Sequence, residues 1–191
     1  GYDEVGQDYG SGFRRDPFEE KERVIARMSR LRKELATQKI EQALTIIEEF
    51  EENEKPLVVF TAHKEPCRQI ACRPGWRAIS GETPVVERHE IVRLFQNGEL
   101  NGVVGTIKAM GVGLTLLTNI DQTDCDTMLF LDLEWNPSLN SQAEDRICRI
   151  HKQGKQRDRC NYITLCYNHE IDLRVKELTE QKQSTIDLAI E

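Results

Sequence analysis

Two arginines, Arg146 and Arg149 in the stretch SQAEDRICRIHKQGK at 141–155, combine the residue type and spacing best suited in this chain to handling phosphate. On a helix, residues three apart share one face with Cβ atoms about 5–6 Å apart, so two guanidiniums can converge on a single polyanion. The planar, permanently charged fork of arginine meets phosphate oxygens two at a time. Aimed at a phosphate, it can stabilise charge that appears only in a phosphoryl-transfer transition state. A solvated helix face, with Asp145 or Glu144 pairing to a neighbouring arginine, accounts for the same spacing. Their companions elsewhere in the chain must decide between the two.

Three further stretches place small and polar groups where an apolar run ends. Thr61-Ala62-His63-Lys64 follows LVVF. Thr106-Ile107-Lys108 follows GVVG and leads into AMGVGLTL, where Gly111 and Gly113 permit close backbone approach and Thr106, Lys108 and Thr115 can donate to phosphate. A tight turn into a helix explains the G-x-G equally well. Asp132-Leu133-Glu134-Trp135-Asn136-Pro137 follows the run beginning at Thr127. There Asn136 suits a helix N-cap and Pro137 a first helical position, while Ser141-x-x-Glu144 offers a second start one turn later.

The elements that would position these groups follow from periodicity. The chain has 191 residues, 38% hydrophobic and 31% charged, which suits one globular domain with a heavily charged surface. No apolar run reaches the length of a membrane span, and no signal-peptide pattern opens the chain, so an intracellular protein is expected, cytoplasmic in a bacterium or nuclear in a eukaryote. A net charge of −7 argues against indiscriminate polyanion binding but leaves room for a local basic groove. The six cysteines form no C-x-x-C pair, so no metal site is expected and free thiols are.

Residues 1–15 read as a flexible leader. Residues 16–36 read as a charged helical connector, narrowly striped by Val24, Met28, Leu31 and Leu35. The next helix, KIEQALTIIEEFEENEK, carries Ile40, Ala43, Leu44, Ile47 and Phe50 on one face. From residue 57 short apolar runs alternate with helical stretches. Strands are expected at 57–60, 76–80, 102–106, 127–135 and 161–167, a helical turn near Pro66, a helix carrying Val85, Ile91, Leu94 and Phe95, and a last helix from about Asn168. This pattern predicts an α/β domain with a parallel sheet covered on both faces, and functional residues at the carboxyl ends of its strands.

Taken in order, FTAHK, ISGET, GTIKAMGVGLTL, DLEWNP and QAEDRICRI resemble the motif blocks of the second RecA-like lobe of superfamily-two helicase-like ATPases. The Trp-Asn-Pro followed by Gln-Ala-Glu-Asp-Arg narrows the resemblance to Swi/Snf-type DNA translocases, nearest their HepA-like or annealing-helicase-like members. It covers roughly residues 37–182 and implies a RecA-like (P-loop NTPase-type) lobe over 37–191, attached through the connector to a missing first lobe. It also implies ATP and Mg2+ held mainly by that first lobe, and double-stranded DNA tracked across both. By matching position, Arg146 and Arg149 would be arginine fingers. Gln142, Gly113 and Asp145 would lie at the ATP, and Thr61, His63, Lys64, Thr106, Lys108 and Trp135 at the DNA. Trp135 can also be read as a ring wedging strand against helix.

The chain departs from the family pattern at Cys148, where a histidine is usual, at His151-Lys152, where Gly-Gln is usual, and at Ser80-Gly81, where Asp-Gly is frequent. No G-x-x-x-x-G-K-S/T loop and no Asp-Glu-x-His block occurs, so the chain by itself is expected to be inactive. The rival reading is a degenerate lobe serving as a protein-interaction scaffold. A nucleotide-binding domain of another α/β family is disfavoured, because no G-x-G-x-x-G follows the first strand.

Overall fold

The computed structural model describes residues 17–111, 125–145 and 160–190. Its centre is a five-stranded parallel sheet of β1 (Leu57–Thr61), β2 (Trp76–Ile79), β3 (Gly102–Thr106), β4 (Thr127–Phe130) and β5 (Asn161–Thr164), in the order β2-β3-β1-β4-β5. Strands β1, β3 and β4 are buried at every position, as continuous apolar runs between two helical layers must be. In register, Val58, Val59 and Phe60 of β1 face Val103, Val104 and Gly105 of β3 on one side and Met128, Leu129 and Phe130 of β4 on the other. The Phe60 and Phe130 rings stack with centroids 5.1 Å apart.

Alternation along the strands divides the core between the two faces of the sheet. Val58, Phe60, Val103, Met128 and Phe130 pack with Ile91 and Phe95 of α4 (Val85–Gln96), Ile107 and Met110 of α5 (Ile107–Met110) and Ala143 of α6 (Pro137–Glu144). Leu57, Val59, Val104 and Leu129 pack with Ala36 of α1 (Pro17–Gln38), Ile40, Ala43 and Ile47 of α2 (Ile40–Glu52) and Cys67 and Ile70 of α3 (Lys64–Ala71). The last helix, α7 (Glu170–Ile190), is anchored through buried Val175.

Several sequence expectations change in detail. The run at 127–135 is strand only to Phe130. Leu131 N–H still reaches the Phe60 carbonyl at 2.9 Å, but the Asp132 carboxylate then turns back to β1 and ends the extended course. Strand β5 stops at Thr164, and its residues are half-buried or exposed because, among the described strands, it stands at the sheet's edge. Val85, expected on the inner face of α4, is 64% exposed, whereas Ile91 and Phe95 are buried. The Pro66 turn is a two-turn helix with Pro66, Cys67 and Ile70 buried. The stripe on α1 is graded, from exposed Val24 to buried Leu35. Cys67, Cys72, Cys125 and Cys166 are not in disulfides, but Cys160 is disulfide-bonded, contrary to the expectation of six free thiols.

Two cations, one on α1 and one just after it, were not legible in the sequence. Lys39, at the junction of α1 and α2, is only 1% exposed and forms an ion pair with Asp172 of α7, whose carboxylate also accepts the Tyr167 N–H at 2.9 Å. Arg32 reaches the loop after β4, as described below.

Candidate functional site

Strand order decides which expected groups can meet. Because β1 lies between β3 and β4, the three strand ends singled out by the sequence are neighbours at the carboxyl edge of the sheet, with Thr61 of β1 directly paired with Thr106 of β3. From β1 the chain crosses through α3 toward β2, and from β4 it crosses through α6 toward β5, in the opposite direction. The crevice between the ends of β1 and β4 is therefore a topological switch point, where open parallel sheets bind ligands.

Asp132 closes this crevice. Its Oδ1 accepts the Thr61 hydroxyl at 2.6 Å and the Ala62 N–H at 2.9 Å, and its Oδ2 lies 3.4 Å from His63 Nε2. Thr61 Oγ1 in turn accepts the His63 N–H at 3.1 Å, so one carboxylate and one hydroxyl fix three successive residues. Burial pushes the His63 imidazole below its ordinary pKa; the Asp132 carboxylate opposes this shift and the Arg32 guanidinium adds to it. Thr61 is fully buried and Thr106 nearly so, which makes both hydroxyls supports beneath the mouth rather than groups on its surface.

The two lysines project. Lys64, 49% exposed along its side chain, pairs with Glu82 in the turn before α4. In α5, Ile107, Ala109 and Met110 are all buried, so the short helix turns only Lys108 outward. It is 68% exposed and lies 3.4 Å from the Glu134 carboxylate. Ser80-Gly81 is held by Arg88, whose guanidinium donates to the carbonyls of Ser80 at 2.9 Å and Thr83 at 2.8 Å.

The loop from Leu131 to Asn136 is built to launch α6. Asn140 accepts the Glu134 N–H and donates to the Glu134 carbonyl, both at 3.0 Å. The helix starts at the first of the two predicted positions: the Asn136 side chain accepts the Ser138 N–H at 3.1 Å, and Pro137 follows. Ser141 is thus interior to the helix. Arg32 of α1 donates to the Leu133 carbonyl, and its guanidinium lies over the Trp135 ring, 4.9 Å from the centroid. Gln142 on α6 and Asp145 at its C-cap are exposed beside half-buried Glu144, whose carboxyl is pushed up by burial and by the Asp145 charge. Arg146, Arg149 and Gly113, like Thr115, Cys148 and His151-Lys152, lie outside the described residues.

Asp132, Glu134, Asn140 and Arg32 are site residues that sequence reasoning left without a role. Two carboxylates straight after the apolar run Met128–Leu131 were the available signal for Asp132 and Glu134. Nothing in the sequence pointed to Arg32, which lies 101 residues from Leu133.

The chain is 33% identical over 114 residues to transcription termination factor 2 of Drosophila melanogaster, covering 59% of this chain and 10% of the relative. It is 32% identical over 113 residues to the chromatin-remodeling ATPase INO80 of Candida albicans, covering 59% and 7%. It is 31% identical over 115 residues to the helicase domino of Drosophila melanogaster, covering 59% and 3%. The chain thus spans a tenth or less of these relatives' length. Among solved structures, the C-terminal part of the Fun30 ATPase domain superposes with a TM-score of 0.61 at 18% identity, over 74% of this chain and 45% of that one, which establishes a RecA-like fold. Residues 36–151 match the model of the helicase conserved C-terminal domain, and the chain belongs to that family.

Proposed function

We propose that the chain is the second motor lobe of an ATP-dependent DNA translocase of the chromatin- or fork-remodelling type, working in the nucleus of a eukaryote. In this reading Arg146 and Arg149 reach ATP held by a first lobe and stabilise charge on the phosphoryl group during in-line attack by water. Gln142, Gly113 and Asp145 order the nucleotide side. Lys64, Lys108, His63 and Trp135 meet double-stranded DNA, with Thr61 and Thr106 holding the loops that present them.

The observation that carries the proposal is the convergence of the ends of β1, β3 and β4 on one crevice, in a member of the helicase family, with Lys64 and Lys108 projecting from two of those ends. The chain itself does not fit an ATP–Mg2+ cradle. It has no phosphate-binding G-x-x-x-x-G-K-S/T loop, and among the described residues no group of three or more His, Cys, Asp or Glu side chains could hold a metal ion. In this reading ATP and Mg2+ are held mainly by the other lobe.

One observation favours the scaffold reading: both projecting lysines are already paired, Lys64 with Glu82 and Lys108 with Glu134. Lys64 and Glu82 are both solvent-exposed, and exposed pairs hold weakly, so a phosphate can replace that carboxylate at little loss; Lys108 is exposed too, but its partner Glu134 is buried. DNA-stimulated phosphate release separates the two readings. The chain alone should give none, and the protein including its first lobe should give release that rises with duplex DNA. Release from the two-lobe protein that stays at background with DNA present would favour the scaffold.

A further inference from the structure

We infer that Arg32 is a positioning residue that ties α1 to the loop between β4 and α6, so that α1 sets the orientation of α6 and of the groups it presents to the nucleotide. The inference rests on the motor reading for what α6 does, but the tie itself stands on geometry alone.

Arg32 touches the loop twice, in two different ways. It donates to the Leu133 carbonyl, and its planar guanidinium covers one face of the Trp135 ring at 4.9 Å. The hydrogen bond fixes the loop's distance from α1 and the cation over the ring adds a second contact, so two contacts on residues two apart constrain the loop's attitude to α1 more than a single exposed ion pair would. One turn later on α1, Leu35 and Ala36 are buried, so Arg32 projects from a segment that is itself seated on the domain.

From the loop onward the connection to α6 is stiff. Asn140 grips both backbone groups of Glu134, Asn136 caps the helix, and Pro137 with its fixed φ begins it. Gln142 follows within two turns, with Asp145 at the C-cap. On the other side Asp132 joins the same loop to Thr61 and Ala62. A displacement of α1 therefore has a direct route to the face carrying Gln142 and Asp145. Because α1 lies almost wholly before residue 36, where the family match begins, that route brings the helicase domain under the control of the segment preceding it.

The chain supplies its own reporters, since it contains two tryptophans. Trp76 is fully buried at the opposite end of the sheet with Nε1–H donated to Glu51 at 2.7 Å, so it reports folding; Trp135 reports the tie. In 5-fluorotryptophan-labelled protein, with Trp135→Phe assigning the two fluorine resonances, Arg32→Ala is expected to shift the Trp135 resonance and raise its sensitivity to solvent while Trp76 stays in place. Arg32→Lys, which keeps the charge but loses the planar fork, should fall between. An unmoved Trp135 resonance in Arg32→Ala overturns the tie. If both resonances collapse, Arg32→Gln, which keeps a donor for Leu133 and removes the cation from the ring, is read by the same rule.

In the protein that includes the first lobe, Arg32→Ala should lower kcat about tenfold with KM for ATP little changed, and Arg32→Lys should recover part of the loss. A shifted Trp135 resonance with unchanged kcat overturns the coupling to α6. Wild-type two-lobe protein without DNA-stimulated hydrolysis overturns the motor reading and the coupling together, while the fluorine result on the chain still decides whether the tie exists.

Discussion

The two ends of the one parallel sheet are built on different terms. At the amino end, the Trp76 ring fills the space left by Gly102, where a Cβ would sit 2.3 Å from ring carbon Cη2. Glu51 of α2 clasps this end from the side, accepting Trp76 Nε1–H at 2.7 Å and Arg73 at 2.6 Å, with Arg73 holding its carboxyl below the usual range. Gly75, at φ +76°, accepts the Asn101 N–H at 2.8 Å and completes the seal. At the carboxyl end the strands finish in Thr61, Thr106 and the Asp132 loop, where the Asp132 carboxylate accepts from Thr61 and Ala62 and exposed lysines stand at the edge. One end is closed by matched shape. The other is held by hydrogen bonds of the buried Asp132 carboxylate and carries exposed lysines at its rim.

That contrast can be broken first at the sealed end. Trp76→Ala removes the ring that covers Gly102 and leaves Glu51 with one partner fewer, and should cost about 3–5 kcal/mol of stability in urea unfolding. A loss below about 1 kcal/mol would mean that the amino end is not the sheet's clamp. Asp132→Ala, at the carboxyl end, strands the Ala62 N–H and leaves the Thr61 hydroxyl only the His63 carbonyl at 3.4 Å, and should cost about 2–3 kcal/mol. Asp132→Asn keeps an acceptor for both and should cost less than about 1 kcal/mol. Equal losses in the two Asp132 variants would show that charge, and not hydrogen bonding, is what matters there.

The smallest effect is a pH dependence at His63. Folding lowers its pKa, so between the ordinary value of about 6.5 and the folded value the unfolded chain holds more protons, and stability falls as pH drops through that window. Wild type should therefore lose more stability than His63→Gln between about pH 7.5 and 5.5, by less than about 1 kcal/mol. The opposite order would place the imidazole's charged form in the folded protein.

The sequence is most transparent where packing repeats. Continuous apolar runs marked β1, β3 and the start of β4, because strands buried on both faces have no polar side to show. The end of β4 was misread because Leu131 and Leu133 continue the apolar run past the residue where the Asp132 side chain turns the chain. Lys64 and Lys108 were legible as projecting donors. Thr61 and Thr106 looked equivalent to them, but the same polar type at a strand's last position is buried and serves the loop. Arg32 and Lys39 were invisible because their partners, Leu133 with Trp135 and Asp172, come from distant parts of the chain, and a charged helix surface gives no sign of which cations it will bury.

In the proposed motor Arg146 and Arg149 act on ATP carried by another lobe, and the decisive measurement is single-turnover hydrolysis by the two-lobe protein with saturating DNA. Arg146→Ala and Arg149→Ala should each lower the rate by about 10³-fold or more with ATP binding little changed, and Arg149→Lys should rescue poorly, because a point charge does not reproduce the bidentate fork. A loss confined to Arg146→Ala would leave a single finger and assign the difference to the altered His151-Lys152 that follows Arg149. Losses under about tenfold in both alanine variants would mean that neither arginine acts as a finger.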